Sequence, residues 1–314
     1  MGDALYDIVT VGEAMAVLAP APGVRLADAA ALTLGTAGAE ANVARTAARL
    51  GDRVAWIGAL GADPLGDRIV ADLRDSGVDV SHVIRDASAP TGLYLKDTDD
   101  RRSSRMYYYR RNSAASKMDA ELLPTLPSRT VLHLSGITAA ISESGQHLVR
   151  AALLGPRNGL VSFDVNHRPL LWSAADAAPV LAELANAADL VFVGLDEARE
   201  LWGTDTVESI RAVLPDPATI VVKDGEVGAT ALLLGGESHF EPAPVIDVIE
   251  PVGAGDAFAA GYLHALIQGR SERERLMSGH AAAGRALVTT GDVGAGDVGF
   301  EEAGDLFSGS DRLL

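Results

Sequence analysis

Six short apolar runs, each followed by a helix-like stretch rich in Ala and Leu, constrain this chain more than any other feature of its sequence. The runs are Ile8 to Val11, Val54 to Ile57, Thr130 to Leu134, Leu160 to Phe163, Leu190 to Val193 and Thr219 to Val222. They are nearly continuous in β-branched and apolar residues, the pattern of strands buried on both faces. Ala39 to Leu50, Gly66 to Ser76, Gly145 to Leu154, Ala174 to Ala187 and Val207 to Val213 read as the intervening helices. This alternation predicts an α/β fold, a mostly parallel central sheet with helices on both faces. A chain of 314 residues that is 48% hydrophobic can bury a core of that size.

Two segments break the alternation. Residues 13–35 are rich in Ala, Pro and Gly without helical periodicity. Residues 91–111 read as a β-hairpin, Thr91 to Lys96 and Arg105 to Arg111 around a polar turn from Asp97 to Ser104. Together they predict a small β lid (13–35 and 91–111) on a main domain of residues 1–12, 36–90 and 112–314.

Charge narrows the partners. The formal net charge is −17, which opposes nucleic acid and anionic lipid alike while leaving room for an anionic ligand met by a few focused arginines. There are no cysteines, hence no disulfide framework or thiolate zinc site. The first residues lack a basic start followed by an apolar stretch, and no apolar run is long enough to span a bilayer. A soluble cytoplasmic protein is expected.

The sharpest local signal is Gly253-Ala254-Gly255-Asp256, opening an Ala-rich helix that runs to about Gln268 and closes at Gly269. Free N–H groups and the positive dipole end make a helix N-terminus an anion site, and glycine lets a phosphate approach the backbone. A carboxylate in the first turn can take the proton of an attacking hydroxyl. Read alone, the same four residues equally fit an ordinary capping Asp after a Gly-rich turn.

The wider segments carry a resemblance. Pro251-Val252-Gly253-Ala254-Gly255-Asp256-Ala257-Phe258 resembles the C-terminal signature of the ribokinase-like (PfkB) carbohydrate kinases. Ala37-Gly38-Ala39-Glu40-Ala41-Asn42-Val43-Ala44 resembles their first signature. The resemblance implies a ribokinase-like fold and an ATP- and Mg2+-dependent kinase. Asp256 would be the base, and the amides of Gly253, Ala254 and Gly255 an anion hole. No GxxxxGK[ST] and no GxGxxG after the first strand occur, so neither a P-loop enzyme nor an NAD enzyme is expected.

Within that family the chain is most similar to the 2-keto-3-deoxygluconate kinases. Thr91 to Leu95, Tyr107 to Arg110 with Ser113-Ala114, Leu132 to Thr138 and Asp164 to Trp172 carry this likeness. It implies that Gly38, Asn42, Tyr94, Tyr108, Arg110 and Arg168 surround a sugar acid, phosphorylated on its terminal C6 hydroxyl. An Arg fork suits a carboxylate, and Tyr offers a flat apolar body with one hydroxyl. Side chains alternate along a strand, so Tyr107, Tyr108 and Tyr109 cannot all face one way. Arg110 and Arg111 could instead be solvated edge charges, and Arg168 a structural ion pair.

Lys223 to Ala229 resembles the family's nucleotide loop, placing Lys223, Gly225 and Gly228 near ATP; as bare sequence it equally fits a solvent-facing hairpin turn. Three positions depart from the family pattern. Gly194 stands where an Asn or Ser usually precedes Glu197, which would organise water on Mg2+. Glu250 replaces the frequent Asp, and His280 to Gly284 lacks an Asn beside adenine. His133 reads as a satisfied core histidine, and His167 could line the site. Two competing readings remain, a fructokinase or other neutral-sugar kinase, and a weakly catalytic sugar-binding regulator on the same fold. A homo-oligomer paired through the apolar lid is expected.

Overall fold

The computed structural model describes residues 5–98, 104–248 and 252–288. Met1, the hairpin turn from Asp99 to Ser103, Glu250, Pro251 and the Gly-rich tail at Gly291 to Gly299 lie outside them.

The chain begins with β1 (Tyr6–Val11), β2 (Met15–Ala19) and β3 (Thr33–Ala37), then α1 (Ala39–Arg49). Next come β4 (Val54–Ile57), β5 (Ala59–Gly61), α2 (Pro64–Asp75) and β6 (Ile84–Asp86). The hairpin β7 (Leu93–Thr98) and β8 (Ser104–Tyr109) leads to β9 (Arg129–Ser135), α3 (Gly136–Ala140) and α4 (Glu143–Leu154). The order continues β10 (Leu160–Asp164), α5 (Ala174–Asn186), β11 (Leu190–Gly194), α6 (Leu195–Trp202), α7 (Val207–Val213) and β12 (Thr219–Asp224). β13 (Gly228–Leu233), β14 (Ser238–Pro242), α8 (Ala254–Ile267) and α9 (Glu272–Leu287) complete it.

Eight strands form the main sheet in the order β14-β13-β12-β11-β10-β9-β1-β4. The strands from β12 to β4 run parallel, and β13 and β14 add an antiparallel edge. Alternation sends Val9, Val11, Leu132, Leu134, Val161, Phe163 and Val191 into one core. Ile8, Val54, Trp56, Val131, Leu190, Phe192 and Val221 enter a second core, shared with α1, α2 and α8. Both faces are therefore buried, which is why the strand sequences read as unbroken apolar runs.

All six apolar runs are strands, and the five expected helices start and stop within two residues of their sequence boundaries. Side chains cap several of these helices. At α2, Asp63 Oδ1 accepts from the Gly66 N–H at 2.8 Å, with Pro64 in the first turn.

A separate four-stranded sheet, ordered β3-β2-β7-β8, joins the two segments that broke the alternation. Tyr94 pairs with Tyr108 across β7 and β8, so these two share a face with Met15, Val17 and Met106. Tyr107 and Tyr109 fall on the other face and are exposed, as the period of two requires. Among the described residues no helix is long and apolar enough to cross a membrane.

Candidate active site

The parallel strands all end at one edge of the sheet, and in an open α/β sheet that edge is where ligands bind. Here it gathers Glu13 after β1, Ser135 at the end of β9, Asp164 at the end of β10, Gly194 at the end of β11 and Lys223 near the end of β12. The N-terminus of α8 faces the same place. Gly253, its capping residue, has a left-handed backbone (φ 82°), which favours glycine. Gly255 passes close beneath Lys223, since a Cβ there would lie 3.5 Å from Nζ.

Asp256 sits in the first turn of α8 and is 9% exposed. Asn42 Nδ2 donates to its Oδ2 at 2.9 Å across 214 residues of sequence. The two separate signatures thus meet at one carboxylate. Asn166 Nδ2 reaches Oδ1 at 3.5 Å, from a backbone held at φ 40°. Burial pushes the Asp256 carboxyl up to about 7, with the Asp164 charge adding to the rise and Asn42, Arg168 and Lys223 opposing it. A base poised near neutrality is suited to accept a hydroxyl proton.

Around it lies a cluster of charge, buried at Asp164 and half-buried at Lys223 and Glu197. Lys223 Nζ pairs with Asp164 Oδ2 at 3.0 Å. Burial works against the ammonium, but Asp164, Glu197 and Asp256 outweigh it and hold the Lys223 pKa above its ordinary value. Burial and then the Asp164 charge raise Glu197, against Lys223, the Gly194 N–H and Arg168. Glu197 Oε2 accepts from the Gly194 N–H at 2.8 Å. A Cβ at Gly194 would stand 2.5 Å from Asp196 Oδ1 and 3.2 Å from Glu197 Oε2. An Asn or Ser side chain here would have to displace the Asp196 carboxylate. Arg168 lies 4.0 Å from Glu197 with its side chain 51% exposed.

The nucleotide-loop residues separate. Lys223 joins the charge cluster. Gly225 (φ 49°) is at the exposed tip of the β12–β13 hairpin with open space around it. Gly228 is pressed against β14, where a Cβ would lie 2.5 Å from the Glu241 carbonyl oxygen.

The remaining expected residues gather at the root of the small sheet. Tyr94 and Tyr108 pack with ring centroids 5.4 Å apart and planes tilted by 47°, and Tyr108 Oη donates to Met106 Sδ at 3.2 Å. The Arg110 guanidinium lies 5.7 Å from the Tyr108 ring centroid and is ion-paired with the buried Glu13. Gly38 lies against Glu13, where a Cβ would stand 2.3 Å from its carbonyl oxygen. Beneath them Glu40 is fully buried and accepts from Ser135 Oγ at 2.6 Å and Thr138 Oγ1 at 2.7 Å.

Sequence reasoning assigned no role to Glu13, Glu40 or Asp164. A lone acid inside an apolar run, as in Gly12-Glu13-Ala14 or Phe163-Asp164-Val165, is the signal that marks them. His133 is a core residue, 1% exposed and bonded through Nδ1 to Ser162 Oγ at 2.6 Å. Burial pushes its pKa down to about 4. His167 is buried, with Nε2 3.4 Å from the Trp172 carbonyl oxygen. Among the described residues no cluster of three or more His, Cys, Asp or Glu could by itself hold a metal ion. Asp164 Oδ1 is nonetheless buried without a hydrogen-bond partner and stands in the same cluster as Glu197, a hard oxygen donor set that suits Mg2+ bound mainly through phosphates.

Comparison with known proteins points to one family. The sequence model described as pfkB family carbohydrate kinase matches residues 6–296. A 2-dehydro-3-deoxygluconokinase of Bacillus subtilis (strain 168) is 35% identical over 295 residues, 91% of each chain. A fructokinase of Klebsiella pneumoniae is 33% identical over 272 residues, 85% of this chain and 83% of its own. The crystal structure of a PfkB protein from Polaromonas sp. JS666 superposes with a TM-score of 0.81 at 34% identity, over 90% of this chain and 96% of that one.

Proposed function

This chain belongs to the pfkB family of carbohydrate kinases and is an ATP-dependent sugar kinase, and from that premise we propose that it phosphorylates the C6 hydroxyl of 2-keto-3-deoxygluconate. The single observation that carries the chemistry is the buried Asp256 carboxylate, joined to Asn42 at the glycine-lined start of α8. Asp256 takes the hydroxyl proton, the C6 oxygen attacks the γ-phosphorus, and ADP leaves. The amides of Gly253, Ala254 and Gly255 and the Lys223 ammonium meet the negative charge of the transferring group. Asn42 holds the base in place. Mg2+ arriving with the nucleotide would neutralise phosphate charge, with Glu197 and Asp164 facing it. Gly225 and Gly228 shape the hairpin beside the nucleotide.

Residues 13–35 and 91–111 act as a lid over the rest of the chain, bringing Tyr94, Tyr108 and Arg110 over the sugar acid with Gly38 and Arg168 at its sides. Closure excludes water from the transfer step. The exposed Tyr107 and Tyr109 on the outer lid face are where a second copy would pack, to be read as a dimer mass by light scattering. A need for ATP, which is supplied inside the cell, supports a cytoplasmic location.

The resemblance to a fructokinase supports a second reading, a neutral-sugar kinase. ADP release over 2-keto-3-deoxygluconate, 2-keto-3-deoxygalactonate, fructose and ribose separates the two. Turnover on the keto acids that is lost in Arg110→Ala supports the sugar-acid reading. Turnover confined to fructose or ribose defeats it. Binding detected by thermal shift without turnover on any compound would favour a regulatory protein.

A further inference from the structure

One carboxylate ties together the segments that meet at the root of the small sheet. Glu13, in the connection between β1 and β2, is 2% exposed. Its Oε2 pairs with Arg110, one residue beyond β8. Its Oε1 accepts from Ser113 Oγ at 2.7 Å. Gly92, just before β7, is packed so closely that a Cβ would stand 2.7 Å from Glu13 Oε1 and 3.5 Å from Arg110 Cβ. The two ends of the hairpin and the start of β2 are thus pinned at one side chain.

The same contact fixes the guanidinium. The Arg110 side chain is 11% exposed; its Nη2 meets Glu13 as an ion pair, and its Nε, likewise buried, has neither a hydrogen-bond acceptor nor an ion-pair partner. Glu13 holds one side of the fork and the Tyr108 ring lies 5.7 Å from Cζ, leaving the Nε–H to be satisfied by something else. A buried donor without a partner is costly, and an acceptor brought by a ligand would remove that cost. Burial raises the pKa of both Glu13 and Glu40, the second buried carboxylate here, and the Arg110 charge opposes that rise at each. Without a cation locked at this point, two acids would face an anionic ligand.

We propose that Glu13 is a positioning residue that holds Arg110, and through it the Tyr108 ring, ready for the carboxylate of the substrate, and so sets the preference for sugar acids over neutral sugars. The proposal rests on the sugar-acid reading above. Its physical basis is preorganisation. A free Arg side chain samples many rotamers, and a fork already held by Glu13, itself bonded to Ser113, loses little of that freedom when the substrate binds. Glu13 does not touch the reacting atoms, so its loss weakens ground-state and transition-state binding together.

The test compares wild type, Glu13→Gln, Glu13→Asp and Ser113→Ala on 2-keto-3-deoxygluconate and on the 3-deoxyhexulose in which CH2OH replaces the carboxylate. The neutral compound is followed as a substrate or as a competitive inhibitor. For Glu13→Gln the KM of the acid should rise about tenfold with kcat within about threefold, the mark of lost uniform binding. Binding of the neutral compound should change less than about twofold. Glu13→Asp, which keeps the charge, should fall between wild type and Glu13→Gln. Ser113→Ala loses the hydrogen bond to Glu13, together with a longer one accepted from the Ser116 N–H at 3.3 Å, and should raise the KM of the acid about two- to threefold. It also carries the test alone should Glu13→Gln not fold. Equal losses for both ligands, or a fall in kcat at constant KM, would leave Glu13 a purely structural anchor and overturn the proposal. If wild type phosphorylates the keto acid and every variant keeps its KM, the function stands and the role of Glu13 fails. If wild type does not act on the keto acid at all, the sugar-acid reading itself fails.

Discussion

Replacing Asp256 by Asn should cut turnover by orders of magnitude and make the protein more stable. In the folded chain burial raises the Asp256 carboxyl from its ordinary 3.8 to about 7. Between those values the unfolded chain has lost the proton that the folded chain still holds, so folding weakens as pH rises through this window. Above pH 7 both states are ionised and the full cost is present. At about 1.4 kcal/mol per tenfold change in proton affinity, the cost is about 4 kcal/mol. Asn keeps an oxygen for Asn42 Nδ2 and carries no charge. Asp256→Asn should therefore melt higher at pH 8.5 by roughly 8 °C, using roughly 2 °C per kcal/mol for a chain of this size. The gap should shrink as pH falls from 7 and close near pH 4, where Asp256 is protonated in both states. Differential scanning calorimetry of the two proteins at several pH values reads this directly. The same carboxyl predicts a kcat/KM profile for wild type that falls about tenfold per pH unit below 7, and a loss of about 10²- to 10⁴-fold in the variant. An Asp256→Asn protein that melts at or below wild type at pH 8.5 would refute the view that a buried, weakly compensated charge is held there for catalysis.

Three further outcomes follow from the same cluster and from the core. Lys223→Met leaves Asp164 buried without its cation, so its melting temperature should fall by the equivalent of about 3–5 kcal/mol; adding Asp164→Asn should restore the melting temperature but not turnover. Asn42→Ala removes a hydrogen bond that favours the ionised Asp256, so the acid limb of kcat/KM should move to higher pH, and an unmoved limb would count against that contact. His133, held neutral with its pKa near 4, should cost about 2 kcal/mol of stability between pH 7 and pH 5, because the unfolded chain takes up a proton that the folded one refuses. His133→Gln should lose that part of the acid sensitivity in melting curves.

Much of this protein is legible in its sequence because much of it is local. Short, near-continuous β-branched and apolar runs such as Leu190 to Val193 read as strands covered on both faces, and the helices between them carry their own caps and periodicity. The family signatures around Asn42 and Asp256 are local strings as well. The antiparallel edge of β13 and β14 was missed because its residues, such as Ser238 to Pro242, are short and half-solvated and lack the apolar signature of the inner strands. Alternation required only that Tyr107, Tyr108 and Tyr109 not all face one way; the family resemblance singled out Tyr108, and the structure puts Tyr108 with Tyr94 and leaves Tyr107 and Tyr109 exposed.

What the sequence could not supply is which charges meet. Asn42 and Asp256 lie 214 residues apart, Arg110 finds Glu13 across the root of the small sheet, and Lys223 leaves its hairpin neighbours to pair with Asp164 at the end of another strand. The sequence by itself gives a carboxyl only its ordinary pKa. Only the packed sheet edge removes water from Asp256, Glu197 and Lys223 together and makes each charge depend on the others. Local propensity and hydrophobic pattern are properties of the chain and determined the fold. Burial and the pairing of charge are properties of three-dimensional proximity, and the tertiary structure alone decided them.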